Sequence, residues 1–140
     1  MLTRYFKEAF GQMPLLLQNL LLVMLGAAFG GGIRYLFTLM ESYFHQPIQI
    51  STLLVNIIGG LLAGLIAGYL LQKPDQGLRL FLIVGFCGGL TTFSSFSLEA
   101  MNLLQRGAYL NSFMLILFHF IGAIGATFLG FYLMNRFLVR

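Results

Sequence analysis

A short stretch in the third long apolar segment combines glycines, hydroxyl side chains and phenylalanines. Residues 85–96 read Gly-Phe-Cys-Gly-Gly-Leu-Thr-Thr-Phe-Ser-Ser-Phe. In hydrocarbon, non-helical backbone is tolerated only where it is buried in protein or lines a water-filled cavity. Hydroxyl groups can donate hydrogen bonds to an anion, and the edges of aromatic rings are electropositive. The stretch therefore predicts an interrupted membrane helix built around a polar site.

Further polar side chains fall in or near the apolar segments, and each has two interpretations. Asn56 either hydrogen-bonds a neighbouring helix or presents its amide N–H groups to an anion. Arg34 and Glu99, near segment ends, either extend to the membrane interface or serve a function within the membrane. His119 is either a satisfied packing histidine or part of a polar track beside an ion path. The sequence leaves these alternatives open.

The sequence lacks the motifs of catalysis, metal binding and nucleic-acid binding. The sequence contains no Ser-His-Asp set, no cluster of metal-ligand residues and no phosphate-binding loop. Cys87 is the single cysteine, which excludes an intramolecular disulfide and a cysteine-based metal site. Basic residues that alternate with aromatic residues would favour nucleic-acid binding, and the sequence has no such run. We therefore expect neither an enzyme nor a nucleic-acid-binding protein.

The elements that position the central stretch are membrane helices. Of the 140 residues, 59% are hydrophobic and only 9% are charged, whereas a soluble domain carries about 25% charged residues. A membrane helix needs roughly 20 apolar residues, and four segments are long enough. We predict one all-α domain of four transmembrane helices, the third broken near its middle, with spans at residues 15–39, 50–71, 80–105 and 108–135.

Small residues recur at helical spacing in three of these spans. They are Gly26 and Gly30 in the first, Gly60, Gly64 and Gly68 in the second, and Gly122, Ala126 and Gly130 in the fourth. Such faces let helix backbones approach closely in a membrane. They predict tight packing and, because four short helices enclose little space, an oligomer.

The basic residues predict the orientation of the helices. With four spans, the termini and the middle loop lie on one side, which holds Arg4, Lys7, Lys73, Arg79, Arg136 and Arg140. The other side holds Arg34 and Arg106. Cytoplasmic loops are enriched in Lys and Arg, so we expect both termini in the cytoplasm. We also expect residues 1–12 to stay on the protein as a short amphipathic lead, since no cleavage site follows the apolar run.

Three motifs carry a resemblance to a known family. Residues 26–35 read Gly-Ala-Ala-Phe-Gly-Gly-Gly-Ile-Arg-Tyr, residues 51–59 read Ser-Thr-Leu-Leu-Val-Asn-Ile-Ile-Gly, and the central stretch continues through Ser-Leu to Glu99. In this order and spacing they resemble the Fluc (CrcB) fluoride channels, along nearly the whole chain from Leu20 onward. The fourth span is similar only in character.

The resemblance implies passive and highly selective export of fluoride across the bacterial inner membrane, which reduces fluoride toxicity. It implies an antiparallel, dual-topology dimer whose third helices break near their middle. Backbone carbonyls of Gly88 and Thr91 would hold a structural sodium ion at the dimer interface, together with their partner's.

The resemblance also implies roles for the pore residues. Phe93 and Phe96 would form aromatic boxes that line two pores, one ring from each subunit per pore, and Asn56 would donate to the ion. Arg34 would lie near a vestibule. The hydroxyls of Thr92, Ser94 and Ser95 would continue the polar path. In the fourth span, where some relatives carry serines, this chain offers His119, Ala123 and Thr127.

Two other functions and two assemblies stay open at this stage. A small multidrug-type exporter also has four helices, but it needs an acid in the middle of its first helix, and this first span has none. A non-transporting membrane assembly subunit explains the glycine faces but not the central stretch. An antiparallel homodimer needs nearly balanced loop charges, so the observed bias leaves a heterodimer with an oppositely oriented paralogue as the alternative to the homodimer that we favour.

Overall fold

The computed structural model describes residues 14–42 and 50–138. These residues form four helices long and apolar enough to cross a membrane, and they contain no strand. In order they are α1 (Leu15–Ser42), α2 (Ile50–Gln72), a third span over Gln76–Gln105, and a fourth over Tyr109–Leu138. The prediction of an all-α protein with four transmembrane helices is confirmed. The predicted N-terminal lead lies outside the described residues, as do Arg4, Lys7 and Arg140.

The third span is broken near its middle, as predicted. Its first half consists of α3 (Gln76–Leu78), a π-helical stretch (Arg79–Cys87) and α4 (Gly88–Leu90). Thr91 and Thr92 then adopt extended conformations, with φ and ψ of −79° and 156° and of −148° and 116°. The second half is α5 (Phe93–Gln105). The helix thus continues through its glycines and opens at two β-branched residues, which favour extended backbone.

Side chains and turns set the ends of this span and the start of the next. The Asp75 carboxylate accepts a hydrogen bond from the Leu78 N–H at 2.8 Å, so the third span begins at Gln76 and not at residue 80. Such an N-cap satisfies a backbone donor that has no partner within the helix. Gly107 has a φ of +73°, which glycine adopts without strain. It turns the chain into α6 (Tyr109–Leu138).

Glycine faces bring the helices together in two close pairs. A Cβ on Gly89 would lie 2.6 Å from the Ala27 carbonyl oxygen, where α1 packs against the first half of the third span. A Cβ on Gly60 would lie 2.7 Å from the Ala123 carbonyl oxygen, where α2 packs against α6. Both contacts require glycine, because real Cβ atoms do not approach so closely. The predicted glycine faces therefore act in helix packing.

The described part of the chain buries several polar side chains, while many large apolar side chains point outward. Those buried are Ser51, Thr52, Thr92, Ser112 and His119. In a membrane the lipid takes the place of an apolar interior, and polar groups must find partners inside the bundle. The polar side chains therefore mark where the site lies.

Arg34 is not a loop residue. It lies within α1, well before the helix ends at Ser42, and it contacts the backbone of the third span. Loop charges are what orient membrane helices. Arg79 and Arg136 on the other side also lie within helices, so the count of six basic residues against two stays a prediction.

Candidate functional site

Thr92 starts α5 and connects the hydroxyl groups at the helix break. Its Oγ1 accepts a hydrogen bond from the Ser95 N–H at 3.2 Å and so caps the new helix. The same hydroxyl lies 3.1 Å from Ser95 Oγ and 3.2 Å from Ser94 Oγ. The three hydroxyl side chains predicted for the polar path are therefore joined in one hydrogen-bonded cluster.

Asn56 on α2 hydrogen-bonds the Thr92 backbone groups at the break. Its Oδ1 accepts from the Thr92 N–H at 2.8 Å, and its Nδ2 donates to the Thr92 carbonyl at 3.1 Å. An amide side chain can do both, because it has an acceptor on one side and donors on the other. The interpretation of Asn56 as a bond to a neighbouring helix is therefore what the structure shows. The Nδ2 group carries a second hydrogen that this pair does not use.

The break changes the partners of the carbonyls that end the first half of the span. In a continuous helix the Thr92 N–H would donate to the Gly88 carbonyl, but here it donates to Asn56. The Cys87 carbonyl accepts from both the N–H and the hydroxyl of Thr91, each at 2.9 Å. Arg34 Nε donates to the Gly89 carbonyl at 3.0 Å. The Gly88 carbonyl is thus released from its helical donor, while its neighbours are engaged.

An open groove of about 530 Å³ lies beside the break, on the surface of the described chain. Of the predicted site residues it brings together Asn56, Gly88, Thr91, Thr92, Phe93, Phe96 and His119. The remaining lining is small or apolar and comes mainly from α2 and α6, together with Ile83 and Cys87 of the third span. Phe93, although central to the predicted site, is 80% exposed.

Three aromatic rings follow one another along this groove. The ring centroids of Phe93 and Phe96 are 5.4 Å apart, with their planes inclined at 59°. The centroids of Phe96 and His119 are 4.6 Å apart, at 34°. Phe96 also packs against the small apolar cluster of Ala100, Leu103 and Leu115. Phe96 is thus fixed between the cluster and the imidazole, whereas Phe93 projects from the chain.

His119 is buried, with 5% of its surface exposed. Its Nδ1 lies 3.0 Å from the carbonyl oxygen of Leu115, one turn earlier on α6. Its Nε2 is also buried and has no hydrogen-bond partner within the part of the chain that the structure describes. One ring nitrogen is therefore satisfied, and the other is not.

A second, much smaller cavity lies on the other side of Thr92. It has a volume of about 20 Å³, and a water molecule needs roughly 10–15 Å³. Its lining is polar apart from Val55, and includes Arg34, Thr38, Ser51, Thr52, Thr92 and Ser95. Arg34 and Ser95 are therefore brought together here, away from the groove, and Thr92 contributes to both spaces.

The sequence analysis missed Thr38, Ser51 and Thr52. A signal for them exists, because Thr38 follows Arg34 by one helical turn and Thr52 precedes Asn56 by one turn. Side chains at that spacing share a face with the residue that was predicted. Glu99, the other ionisable residue considered above, lines neither the groove nor the small cavity.

The start of α2, at the edge of the small cavity, is tied to the end of α1. Glu41 accepts a hydrogen bond from the Ser51 N–H at 3.2 Å and another from the Ser51 hydroxyl. A carboxylate at a helix N-terminus satisfies backbone donors and is favoured by the helix dipole. The contact fixes the register of α1 against α2, and hence of Arg34 against Thr52.

Comparisons with known proteins agree with this architecture. The family model described as "CrcB-like protein, Camphor Resistance (CrcB)" matches residues 21–131. The chain belongs to the CrcB family. The resemblance inferred from the three motifs is thereby confirmed, and all three motifs fall within the matched residues.

Individual CrcB-family relatives match over most of their length. A protein of Erwinia tasmaniensis named "Fluoride-specific ion channel FluC" is 38% identical over 122 residues, which are 86% of this chain and 98% of the relative. Proteins with the same name from Francisella tularensis subsp. mediasiatica and Escherichia coli O1:K1 are 38% and 35% identical. The matches cover 81% and 86% of this chain, and 92% and 97% of those relatives.

Proposed function

We propose that this chain is a passive, fluoride-selective channel that lets fluoride leave the cell across the bacterial inner membrane. Family membership supports the proposal, since the relatives are named as fluoride-specific ion channels. The observation that carries it in this chain is the break at Thr91 and Thr92, which places backbone, hydroxyl and aromatic groups beside an open groove. Membership in a family of channels leaves the exporter, the assembly subunit and an enzyme without support.

The chemistry of these groups suits fluoride. The ion is small and strongly hydrated, so a pore must replace its water with several weak donors and still release it. The edges of Phe93 and Phe96, the unused Asn56 N–H and the hydroxyls of Thr92, Ser94 and Ser95 are such donors. Arg34 adds positive charge beside the small cavity, but its Nε is held by the Gly89 carbonyl. The charge of Arg34 attracts an anion towards the break.

Sodium fits the break as a structural ion. Hard cations prefer oxygen ligands, and the Gly88 carbonyl lacks its helical donor because Asn56 has taken the Thr92 N–H. Gly88 and Thr91 both line the groove. Their carbonyls would hold the ion together with those of a second subunit, and the ion would contribute positive potential to an anion path.

The exposed side of the groove points to a dimer. Phe93 is 80% exposed, yet a pore-lining ring must be enclosed by protein. We propose that a second copy covers the groove in antiparallel orientation and supplies the facing aromatic ring. A heterodimer with an oppositely oriented paralogue is the alternative, and the strong bias of the loop charges, with both termini cytoplasmic, is what favours it.

The test is anion efflux from liposomes that contain only this purified chain, with fluoride compared with chloride in sodium buffer. Fluoride efflux without chloride efflux supports both the channel and the homodimer. Efflux that appears only after co-expression with a paralogue of opposite charge bias supports the heterodimer. Absence of fluoride efflux from both preparations would overturn the proposed function. Exchange of sodium for a bulky organic cation during purification is expected to lower flux and dissociate the dimer.

A further inference from the structure

The two ring nitrogens of His119 differ in their hydrogen bonding. Nδ1 lies 3.0 Å from the Leu115 carbonyl oxygen. A carbonyl oxygen can only accept, so the hydrogen of this bond belongs to Nδ1. In the neutral imidazole one nitrogen carries the hydrogen and the other a lone pair. The bond to Leu115 therefore fixes the neutral ring with its lone pair on Nε2.

The buried side chain of His119 lies beside the proposed ion path. His119 lines the groove with Phe96, Thr92 and Asn56, and Nε2 is buried with no partner among the described residues. A lone pair at that position repels an anion. A protonated imidazole donates from both nitrogens, so it keeps the Leu115 bond and gains an unpaired N–H donor at Nε2.

We infer that His119 is a proton-linked fluoride ligand, whose Nε2 binds the ion only when the imidazole is protonated. The inference rests on the proposed function and adds a fluoride ligand that binds only in its protonated form. Fluoride and the proton stabilise one another at this ring, and such coupling is reciprocal. Fluoride at the groove promotes protonation of His119, and protonation promotes binding of fluoride.

The surroundings of His119 favour an imidazole that is protonated when fluoride is bound over an imidazole that is charged at all times. The centroid of the Phe96 ring lies 4.6 Å from that of the imidazole, and the two ring planes are inclined by 34°. The face of an aromatic ring attracts a cation, while its edge is electropositive and attracts an anion. Phe96 can therefore support the imidazolium and the fluoride at the same time.

Few other ionisable groups face this ring. Among the described residues that line the groove, the only other titratable side chain is Cys87, from the π-helical stretch. On α5, Glu99 lies one turn beyond Phe96 but does not line the groove. On α2, the lining residues are Asn56, Gly59, Gly60 and Ala63, none of which titrates. Arg34 on α1 faces the small cavity instead. His119 is therefore the group that gives the groove a dependence on pH.

The first experiment measures conductive fluoride efflux at several pH values, from about 5.5 to about 8, a range that brackets an ordinary imidazole. Efflux of potassium fluoride is started with valinomycin, since only charged fluoride needs the counter-flow of potassium. Leakage of hydrogen fluoride is subtracted with protein-free liposomes of the same composition. Wild-type flux is expected to rise by about tenfold as the pH falls, because the occupancy of a site that needs one bound proton changes by up to about tenfold per pH unit above its pKa.

Two variants separate titration from packing. His119→Gln keeps an amide donor and His119→Tyr keeps a hydroxyl donor, and neither titrates in this range. Whichever variant assembles is expected to conduct with no more than about a twofold change over the same pH values. A flat wild-type profile, or a variant that keeps the wild-type slope, overturns the inference. Absence of conductive flux at every pH, both from this chain alone and from its pair with an oppositely oriented paralogue, instead overturns the proposed channel.

The second experiment does not need conduction. Nitrogen NMR of the purified protein labelled with ¹⁵N-histidine reports which ring nitrogen carries hydrogen. A His45→Gln background leaves His119 as the only histidine of the chain. We expect hydrogen on Nδ1 at high pH, and conversion to imidazolium on addition of sodium fluoride but not of sodium chloride. Hydrogen on Nε2 at high pH, or an equal response to both salts, also overturns the inference.

Discussion

Asn56 and Thr92 form a two-way hydrogen-bonded pair across the break in the third span. The side-chain oxygen accepts at 2.8 Å and the side-chain nitrogen donates at 3.1 Å, both to the backbone of Thr92. The pair satisfies the amide that an interrupted helix would otherwise leave without a partner in hydrocarbon. It also releases the Gly88 carbonyl from its helical donor. One side chain thus satisfies the Thr92 backbone at the break and leaves the Gly88 carbonyl without its helical donor.

Replacement of Asn56 by aspartate tests this pair and the ion path together. Asn56→Asp keeps the acceptor for the Thr92 N–H but removes the donor to the Thr92 carbonyl, which costs about 1–3 kcal/mol if the carbonyl stays unsatisfied. The new carboxylate also repels an anion. We expect a lower melting temperature and no fluoride efflux. Wild-type fluoride efflux through this variant would remove Asn56 from the ion path, whatever its effect on stability.

Phe93 offers the cleanest test of the aromatic lining. Because its ring is 80% exposed in the single chain, Phe93→Ile should cost the fold little, yet it removes the electropositive ring edge. We expect fluoride efflux to be abolished while the variant elutes from a sizing column like the wild type. Phe96→Ile should also abolish efflux, but with a loss of roughly 1 kcal/mol in stability, because Phe96 packs against a buried cluster. Efflux at the wild-type rate in both variants would contradict an aromatic pore lining.

The hydrogen bond and the charge of Arg34 can be tested separately. Arg34→Met removes both, whereas Arg34→Lys keeps the charge but cannot reproduce the guanidinium bond to the Gly89 carbonyl. Loss of that bond should destabilise both variants by about 1–3 kcal/mol in thermal unfolding. Fluoride efflux should fall more in the methionine variant, because only that variant loses the positive potential. Equal efflux from the two variants would show that the charge does not assist the anion.

The close approach of α1 to the third span can be tested with two neighbouring glycines. A Cβ on Gly30 would lie 2.7 Å from the Leu90 backbone nitrogen, whereas a Cβ on Gly32 would meet nothing within 4 Å. Gly30→Ala should therefore lower stability by about 1–3 kcal/mol. Gly32→Ala is the matched control on the same helix, and its higher helix propensity gives up to about 1 kcal/mol in the opposite direction. Equal melting temperatures for the two variants would contradict the packing described here.

The class of the protein follows from its composition and its apolar segments. Its low charge and four long apolar segments require membrane helices, since only such helices satisfy their own backbone in lipid. The glycines and threonines of the third span were enough to predict its break, because a bilayer tolerates such a stretch only beside a polar site. The order of the three motifs was enough to predict the family.

Which polar and aromatic groups meet depends on how the helices pack. The pairing of Asn56 with Thr92, the Arg34 bond to Gly89 and the contact of Phe96 with His119 each join residues from different helices. Their partners depend on the register of one helix against another, and no local pattern encodes that register. The lining of the small cavity could not be predicted from local sequence for the same reason. Thr38 and Thr52 line it because the glycine contacts and the Glu41 bond bring α1, α2 and the third span together.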